Sequence, residues 1–298
     1  MVVRILQLTL YPLGAFIVGV FFLGLARKII ARIHWRYGPP LVQPVIDMIR
    51  FFYQRSASHG RMFDSGIVMS LVGSIVVVLF LPFGSISPLS ASGGLLVILY
   101  VMLFVPLGTA LSGGQGANPN ISIGISRKLI LALGYEVPFL LVLLAVMTHY
   151  RTISIVEVVN AQHGTNWSIL SLPLVLSGLS YLLVLPAMLA VRPFDISSAP
   201  QEISSGPMVE YGGKYLALAT IEHALVLFIN LALFVNLFLG GAGNPATFFV
   251  KMLVVFMLGL FVHAAFPRFR IEQAVRYLWR WPTILAFVGL IIVSIVRS

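Results

Sequence analysis

The 298-residue chain contains no cysteine and few charged residues. The absence of cysteine excludes disulfides, thiolate nucleophiles, and iron–sulfur or zinc sites held by cysteines of this chain. Only 9% of the residues are charged, against about 25% in a typical soluble protein, and 59% are hydrophobic. A soluble globule of this composition would expose more apolar surface than a monomer tolerates. The composition therefore predicts a polytopic membrane protein.

The net charge of +10 is spread between apolar runs and forms no basic face, so we predict no nucleic-acid partner. The six histidines include no pair at a spacing typical of metal ligands. We therefore predict no metal site and no cofactor within this chain. The positive charge is better interpreted as a signal of membrane topology.

Eight apolar stretches approach the roughly 20 residues that a membrane-spanning helix requires. They cover about 5–26, 66–86, 94–111, 129–149, 169–191, 214–239, 247–266 and 281–297. All but four of the 19 basic residues fall between alternate stretches. The four exceptions are Arg4, Arg151, Lys251 and Arg297. The positive-inside rule then places both termini outside and the segments 27–65, 112–128, 192–213 and 267–281 in the cytoplasm. We predict one all-α integral domain, residues 1–298, in a prokaryotic plasma membrane.

Two loop segments have the pattern of amphipathic helices lying in the membrane interface. In Val45–Gln54, Asp47 and Arg50 share one helical face, and apolar residues share the other. Ile271–Trp281 carries a similar division, and Ile155–Gln162 is a weaker case on the outer side. Both simple anchoring to the membrane surface and docking of a partner fit these patterns.

Two of the nine acidic residues, Glu136 and Glu222, lie inside predicted spans. An ionised acid at membrane depth costs about 2.5–3.5 kcal/mol on insertion scales, so such residues usually face protein or water and often take part in ion transfer. A protonated glutamate making one interhelical hydrogen bond is the alternative. Pro138 deprives the Gly134 carbonyl of its amide partner, and such a carbonyl near an acid favours water in the membrane.

Polar residues are densest in the segment 192–213, which is rich in glycine, proline and serine. Asp195, Glu202 and Glu210 follow one another at spacings of seven and eight residues, accompanied by Arg192 and Tyr211. Long irregular loops of this kind are usually functional or disordered. The composition predicts an ordered, charged pocket at the cytoplasmic face, although a solvated loop would have a similar sequence.

This segment resembles the signature of the H subunit of respiratory complex I and of its relatives in energy-converting hydrogenases. That signature reads approximately R-x-PFD-x-x-x-A-x-x-E-x-x-x-G-x-x-x-EY-x-G. The matching residues are Pro193, Phe194, Asp195, Ala199, Glu202, Gly206, Glu210, Tyr211 and Gly213, with Arg192 one place nearer. Further similarities lie at Arg36–Pro40, Gln43, Pro44, Asp47, Arg127, Tyr135–Pro138, Pro267–Arg270, Gln273 and Arg276. The resemblance extends over essentially the whole chain.

The short segment after Pro39 is similar to hydrogenase-type members. The chain departs from the family pattern at Ala26, where an acid is common, and at Arg55-Ser56, where hydrogenases commonly have Lys-Glu. These departures leave the redox reaction open, and a relative of archaeal membrane-bound sulfur-reducing complexes fits equally well.

The resemblance implies a subunit, not catalytic alone, that joins a peripheral redox arm to membrane ion pumps. Implied partners are peripheral iron–sulfur and hydrogenase-like large subunits, antiporter-like membrane subunits and the lipid bilayer. Implied cofactors, all in partner subunits, are iron–sulfur clusters and a NiFe centre in the hydrogenase case. The implied ion-coupling residues are Glu136, Glu222, Asp195, Glu202 and Glu210. The implied arm-docking residues are Arg36, Asp47, Arg192, Tyr211, Arg268, Arg270 and Arg276.

Two alternatives stay open at this point: a passive membrane anchor for a peripheral hydrogenase or sulfur-reducing enzyme, and the quinone-site subunit of an NADH dehydrogenase. A stand-alone transporter is disfavoured because the chain shows no internal repeat. The sequence does not decide between H⁺ and Na⁺, nor does it identify the electron donor and acceptor.

Overall fold

The structure is a computed structural model that describes residues 2–84, 86–89, 94–162 and 167–297, with side chains from 7 to 296 of these ranges. Residue 85 of the predicted span 66–86 and His163 lie outside the described residues. The α-helices are α1 (Val2–Ile33), α2 (Gln43–Tyr53), α3 (Arg61–Phe80), α4 (Gly94–Met102), α5 (Phe104–Gly113), α6 (Pro119–Tyr150), α7 (Ile155–Ala161), α8 (Val175–Met188), α9 (Pro200–Ile203), α10 (Lys214–Phe238), α11 (Pro245–Ala265) and α12 (Ile271–Arg297). Within these ranges no β-strand occurs, which confirms the all-α prediction.

Among the described residues, seven helical segments are long and apolar enough to cross a membrane: α1, α3, α4 with α5, α6, α10, α11 and α12. The predicted span 169–191 differs, because its helix α8 has only 14 residues. At 1.5 Å per residue α8 is about 21 Å long, short of the roughly 30 Å of a hydrocarbon core. Pro173, which has no backbone amide to donate, lies between α8 and the short 3₁₀ helix Ser168–Leu170 that precedes it.

The segment around α8 nevertheless connects the two ends of the helix bundle. At one end, Gln162 accepts a hydrogen bond from the amide of Ser168 and donates to the carbonyls of Asn236 and Leu237, at the end of α10. At the other end, the amide of Arg192 donates to His263 Nδ1 near the end of α11 (3.0 Å). Because α10 and α11 are consecutive antiparallel helices, these are opposite ends. Over its described length the chain therefore passes through the bundle eight times.

Proline shapes two of the other spans. Pro106 removes the amide that would bond to the Met102 carbonyl, and the third span is divided at Leu103 into α4 and α5. Pro282 lies within α12, but Thr283 Oγ1 donates to the carbonyl of Leu278 (2.9 Å), which the proline leaves without its amide partner. Helix α12 is therefore continuous, and the predicted interfacial helix Ile271–Trp281 and the predicted span 281–297 are one helix rather than two.

The other predicted loop helices are present with small changes of boundary. Helix α2 corresponds to the predicted helix Val45–Gln54, and α7 corresponds to Ile155–Gln162. The predicted loops 112–128 and 267–281 are shorter than expected, because α6 begins at Pro119 and α12 at Ile271.

Helix α10 occupies the centre of the bundle. From Ala224 to Phe238 every residue except Val226 is buried. Helix α1 approaches α10 closely at Gly19, where a β-carbon would lie 2.1 Å from the carbonyl oxygen of Ala224. Small residues commonly permit such contact between membrane helices. This packing surrounds Glu222, two residues before the buried part of α10, with protein.

Candidate functional site

Four charged side chains join the 192–213 segment to α6 and to the segment before α12. Arg268 Nη2 bonds to Asp195 Oδ2 at 2.9 Å, and Arg127 Nη1 bonds to Glu202 Oε2 at 2.9 Å. Arg268 Nη1 also lies 3.9 Å from Glu202 Oε1, so the two pairs are connected. We name Arg127, Asp195, Glu202 and Arg268 the ion-pair cluster. The cluster borders a cavity of about 610 Å³, lined by Arg127, Glu202 and Arg268 together with the first residues of α12.

Local packing orders the segment that supplies two members of the cluster. The Ser198 hydroxyl donates to Asp195, and the ring of buried Phe194 packs against Phe269 at 5.6 Å between centroids. Gly206 has φ +54°, and a β-carbon there would lie 2.2 Å from the carbonyl oxygen of Ser197. Only glycine fits so close an approach in this backbone conformation. The segment is therefore held against the bundle.

Glu210 contacts different partners from those of the ion-pair cluster. Its Oε1 accepts a hydrogen bond from the amide of Asn118 (3.2 Å), and its Oε2 lies 3.4 Å from His59 Nε2. The neighbouring Tyr211 is buried and shares a short hydrogen bond with Ser112. Burial, together with the nearby charge of Glu222, raises the pKa of the Tyr211 phenol, although the hydrogen bond with Ser112 opposes the shift. Glu210 and Tyr211 thus connect the 192–213 segment to the first and third connecting segments.

Glu222 is 7% exposed and lies on α10 beside α3 and α6. The Ser70 hydroxyl lies next to the Glu222 carboxyl, although its geometry falls short of a normal hydrogen bond. The ammonium group of Lys128 on α6 is close enough to attract the Glu222 carboxylate. Lys128 directly follows Arg127 of the ion-pair cluster, so α6 links the cluster to the buried acid.

Glu136 lies two helical turns deeper along α6 than Lys128. Its side chain is half-buried and borders a cavity of about 230 Å³ with apolar walls that include Leu99, Met102 and Met188. The phenol of Tyr135 lies within electrostatic range of both Glu136 and Glu222. Within the described residues, Glu136 has no hydrogen bond or ion pair. Its carboxyl group is therefore available to water or an ion that enters this cavity.

The predicted arm-docking residues divide into exposed and interior groups. Arg36, Arg192, Arg270 and Arg276 are exposed. Asp47 on α2 is partly exposed and accepts hydrogen bonds from Arg27 Nη1 (3.0 Å) and Gln43 Nε2 (2.8 Å). Arg268 and Tyr211, in contrast, lie inside the fold, where they hold the 192–213 segment in place.

Four residues of the site were missed as site candidates by the sequence reasoning, and Arg127 of the ion-pair cluster is one of them. His59 lies beside Glu210, Lys128 lies beside Glu222, and Asp64 accepts a hydrogen bond from Tyr215 OH (2.7 Å). Asp64 could have been noticed because it is one of only nine acids and lies two residues before the predicted span 66–86. No local pattern marks His59 or Lys128, since their partners are distant in the sequence. Among the residues that the structure describes, no three His, Asp or Glu side chains are grouped in a way that could hold a metal ion.

A family model described as NADH dehydrogenase matches residues 6–294, nearly the whole chain. The chain belongs to the NADH dehydrogenase family. One relative is the H subunit of the NADH-quinone oxidoreductase of Dehalococcoides mccartyi (strain CBDB1), with 30% identity over 304 residues, covering 94% of this chain and 83% of the relative. Hydrogenase-4 component C of Escherichia coli (strain K12) is 31% identical over 222 residues, covering 73% of this chain and 70% of the relative.

A solved structure extends this similarity to three dimensions. The chain is similar to one chain in the structure of the membrane-bound sulfane sulfur reductase, described as an archaeal respiratory membrane complex. The TM-score is 0.94 at 41% identity, with 97% of this chain and 99% of the other covered. This NADH dehydrogenase family member is therefore a multi-pass membrane protein, as its seven apolar helical segments also indicate. The resemblance inferred from the 192–213 segment is confirmed.

Proposed function

We propose that this chain is the membrane subunit of a complex I-like oxidoreductase, and that it couples electron transfer in a peripheral arm to ion translocation. The family match and the similarity to subunits of respiratory and hydrogenase complexes support membership of such a complex. The 41% identity to a chain of the sulfur reductase favours the hydrogenase-type and sulfur-reducing branch over quinone reduction.

The observation that carries the coupling role is a row of ionisable side chains leading from the end of the bundle into its interior. It begins at the ion-pair cluster, whose Arg127 is followed by Lys128 on α6. Lys128 attracts Glu222, and Tyr135 lies within range of both Glu222 and Glu136. Lys128 and Glu222 are close enough to respond to each other's charge, as is Tyr135 to that of both buried acids, and Arg127 joins the row through its position next to Lys128 on α6.

A low dielectric environment makes such a row responsive. Charges in a protein interior interact more strongly than charges in water, because little solvent screens them. Electron arrival in an arm beside the ion-pair cluster would alter the balance between Asp195 and Arg268, and the change would reach Glu222 through Arg127 and Lys128. Protonation or hydration of Glu222 and Glu136 would then pass the signal to antiporter-like membrane subunits, which would move H⁺ or Na⁺.

The redox centres belong, in this proposal, to the partner subunits. The chain has no cysteine, and its described residues offer no group of three His, Asp or Glu for a metal, so its own residues do not fit an iron–sulfur cluster or a NiFe centre. Exposed Arg192, Arg270 and Arg276 would instead contact the arm that carries these centres.

Glu222→Gln and Glu136→Gln test the coupling role. The complex would be isolated through an affinity tag on this chain, supplied with electrons from reduced viologen, and assayed with protons, polysulfide and a quinone analogue as acceptors. After reconstitution into vesicles, both variants should retain electron transfer but lose most dye-reported ion uptake. Glu157→Gln provides a matched control, since this exposed acid lies at the opposite end of the bundle. Normal uptake in both buried-acid variants would contradict the coupling role.

The same material separates coupling from passive anchoring. A passive anchor predicts unchanged ion uptake in the Glu136 and Glu222 variants, and release of the peripheral subunits when the exposed arginines are replaced. Metal analysis of the isolated complex identifies the arm: nickel with iron indicates a hydrogenase, and iron without nickel indicates a sulfur- or quinone-linked enzyme.

A further inference from the structure

A cavity of about 640 Å³ lies between α1, α10 and α11. Its volume is within the range of about 300–1,000 Å³ that is typical of ligand sites. Five of its lining residues are arginine or histidine, and none is acidic. The basic lining residues are Arg27, His34, Arg36, His223 and His263.

The two arginines of this cavity differ in their pairing. Arg27 already bonds to Asp47, whereas the Arg36 guanidinium has no ion pair among the described residues. His34 beside Arg36 is exposed and adds a further donor at the rim. The charge of Asp195 acts on both deeper histidines, and Asp195 is already paired with Arg268. The rim therefore carries positive charge that the fold itself does not neutralise.

The interior walls of the cavity are apolar. Leu23 and Ile30 of α1 face Leu227 of α10 and Phe256 and Leu260 of α11. These residues belong to membrane-spanning helices, whereas Arg36 lies beyond the end of α1. A ligand that satisfies both regions needs an anionic group at the rim and a hydrocarbon chain inside. A neutral head group would leave Arg36 without a counter-charge.

The adjacent face of α1 extends the basic region. Lys28 and Arg32 line a second groove on that helix, next to Leu25 and Ile29. Clusters of four to eight basic residues at the cytoplasmic end of a membrane helix, and basic pockets between such helices, are typical of sites for anionic lipid head groups. The end of α1 combines both features.

We propose that this cavity binds one anionic phospholipid, with its phosphate against Arg36 and His34 and one acyl chain between α1, α10 and α11. Bound in this way, the lipid would fill the space beside Thr220 and His223 on α10, which lie within two residues of Glu222 in the chain. It would thereby stabilise the packing of α1 against the helix that carries the buried acid. The inference concerns lipid binding alone and holds whether or not the acids couple ions.

The test uses the intact complex in nanodiscs of phosphatidylcholine with increasing phosphatidylglycerol. Native mass spectrometry counts retained phosphatidylglycerol, and thermal unfolding reports its stabilisation. We expect one tightly retained molecule and a higher unfolding temperature in the wild type. Each cation near a lipid surface contributes about 1 kcal/mol, so Arg36→Gln should weaken binding about fivefold. Arg55→Gln is the matched control, because it removes an exposed arginine of the same connecting segment outside the cavity.

A charge-neutral variant and three alternative ligands complete the test. Ala26→Met adds volume inside the cavity without changing its charge, and it should also weaken retention. Equal stabilisation by inorganic phosphate would show a free-anion site and overturn the lipid proposal. Equal retention of phosphatidylcholine, or displacement of phosphatidylglycerol by a neutral quinone analogue, would overturn the requirement for an anionic lipid. An equal loss of binding in Arg55→Gln and Arg36→Gln would overturn the assignment of the phosphate site to Arg36.

Discussion

Replacement of Gly19 by alanine tests the contact between α1 and α10 directly. A β-carbon at residue 19 would lie 2.1 Å from the Ala224 carbonyl oxygen, whereas ordinary contacts begin at 3.4 Å. The helices must therefore separate by about 1 Å, a strain typical of overpacked cores, which costs about 1–3 kcal/mol. The higher helix propensity of alanine offsets at most about 1 kcal/mol of this loss of stability. We expect Gly19→Ala to destabilise the protein by about 1–2 kcal/mol.

Gly14 on the same helix provides the control, because a β-carbon there meets nothing within 4 Å. Gly14→Ala should be neutral or stabilising by up to about 1 kcal/mol. The assay is thermal unfolding of the intact complex in detergent, with retention of this chain as a second readout. Since Ala224 is two residues from Glu222, Gly19→Ala should also reduce ion uptake. If the two alanine variants have the same stability, close packing of α1 on α10 is refuted.

Two further predictions concern the charged end of the bundle. Asp195→Asn should lower the free energy of unfolding by about 2 kcal/mol, because Asp195 and Arg268 are only 21% and 17% exposed. Glu202→Gln should lower it by less than about 1 kcal/mol, because Glu202 is 52% exposed. Equal losses in thermal unfolding would contradict this ranking. Burial raises the pKa of Asp47, but hydrogen bonds from a neighbouring glutamine and from Arg27, with the charge of Arg27, outweigh it and hold the pKa below its usual value. Because the folded-state pKa of Asp47 is lowered, its stabilising effect is present above about pH 4 and is lost as the pH falls through the lowered pKa. The unfolding temperatures of the wild type and Asp47→Asn should therefore differ at pH 7 and converge near about pH 3.

The 192–213 segment shows how far local sequence predicts a site. Its acids and its family signature are visible in the chain, and they predict an ordered charged segment. Their partners are not visible, because Arg127 and Arg268 lie about 70 residues away on either side. Arg268 and Tyr211 illustrate the limit: both are predicted to dock the arm, and the structure shows contacts within the fold that their sequence does not indicate. Whether an arginine faces a partner subunit or an internal carboxylate depends on packing.

The sequence by itself determined seven of the apolar spans and the two acids, Glu136 and Glu222, that lie within them. The reason is that a spanning helix must pair the hydrogen-bonding groups of its own backbone and present apolar side chains to the lipid. Both are properties of consecutive residues. Tertiary structure alone decided that α12 is continuous through Pro282, that Glu210 contacts partners different from those of Glu202, and that Lys128 stands beside Glu222. These outcomes depend on atoms brought together from distant parts of the chain, whose positions only the packed bundle specifies.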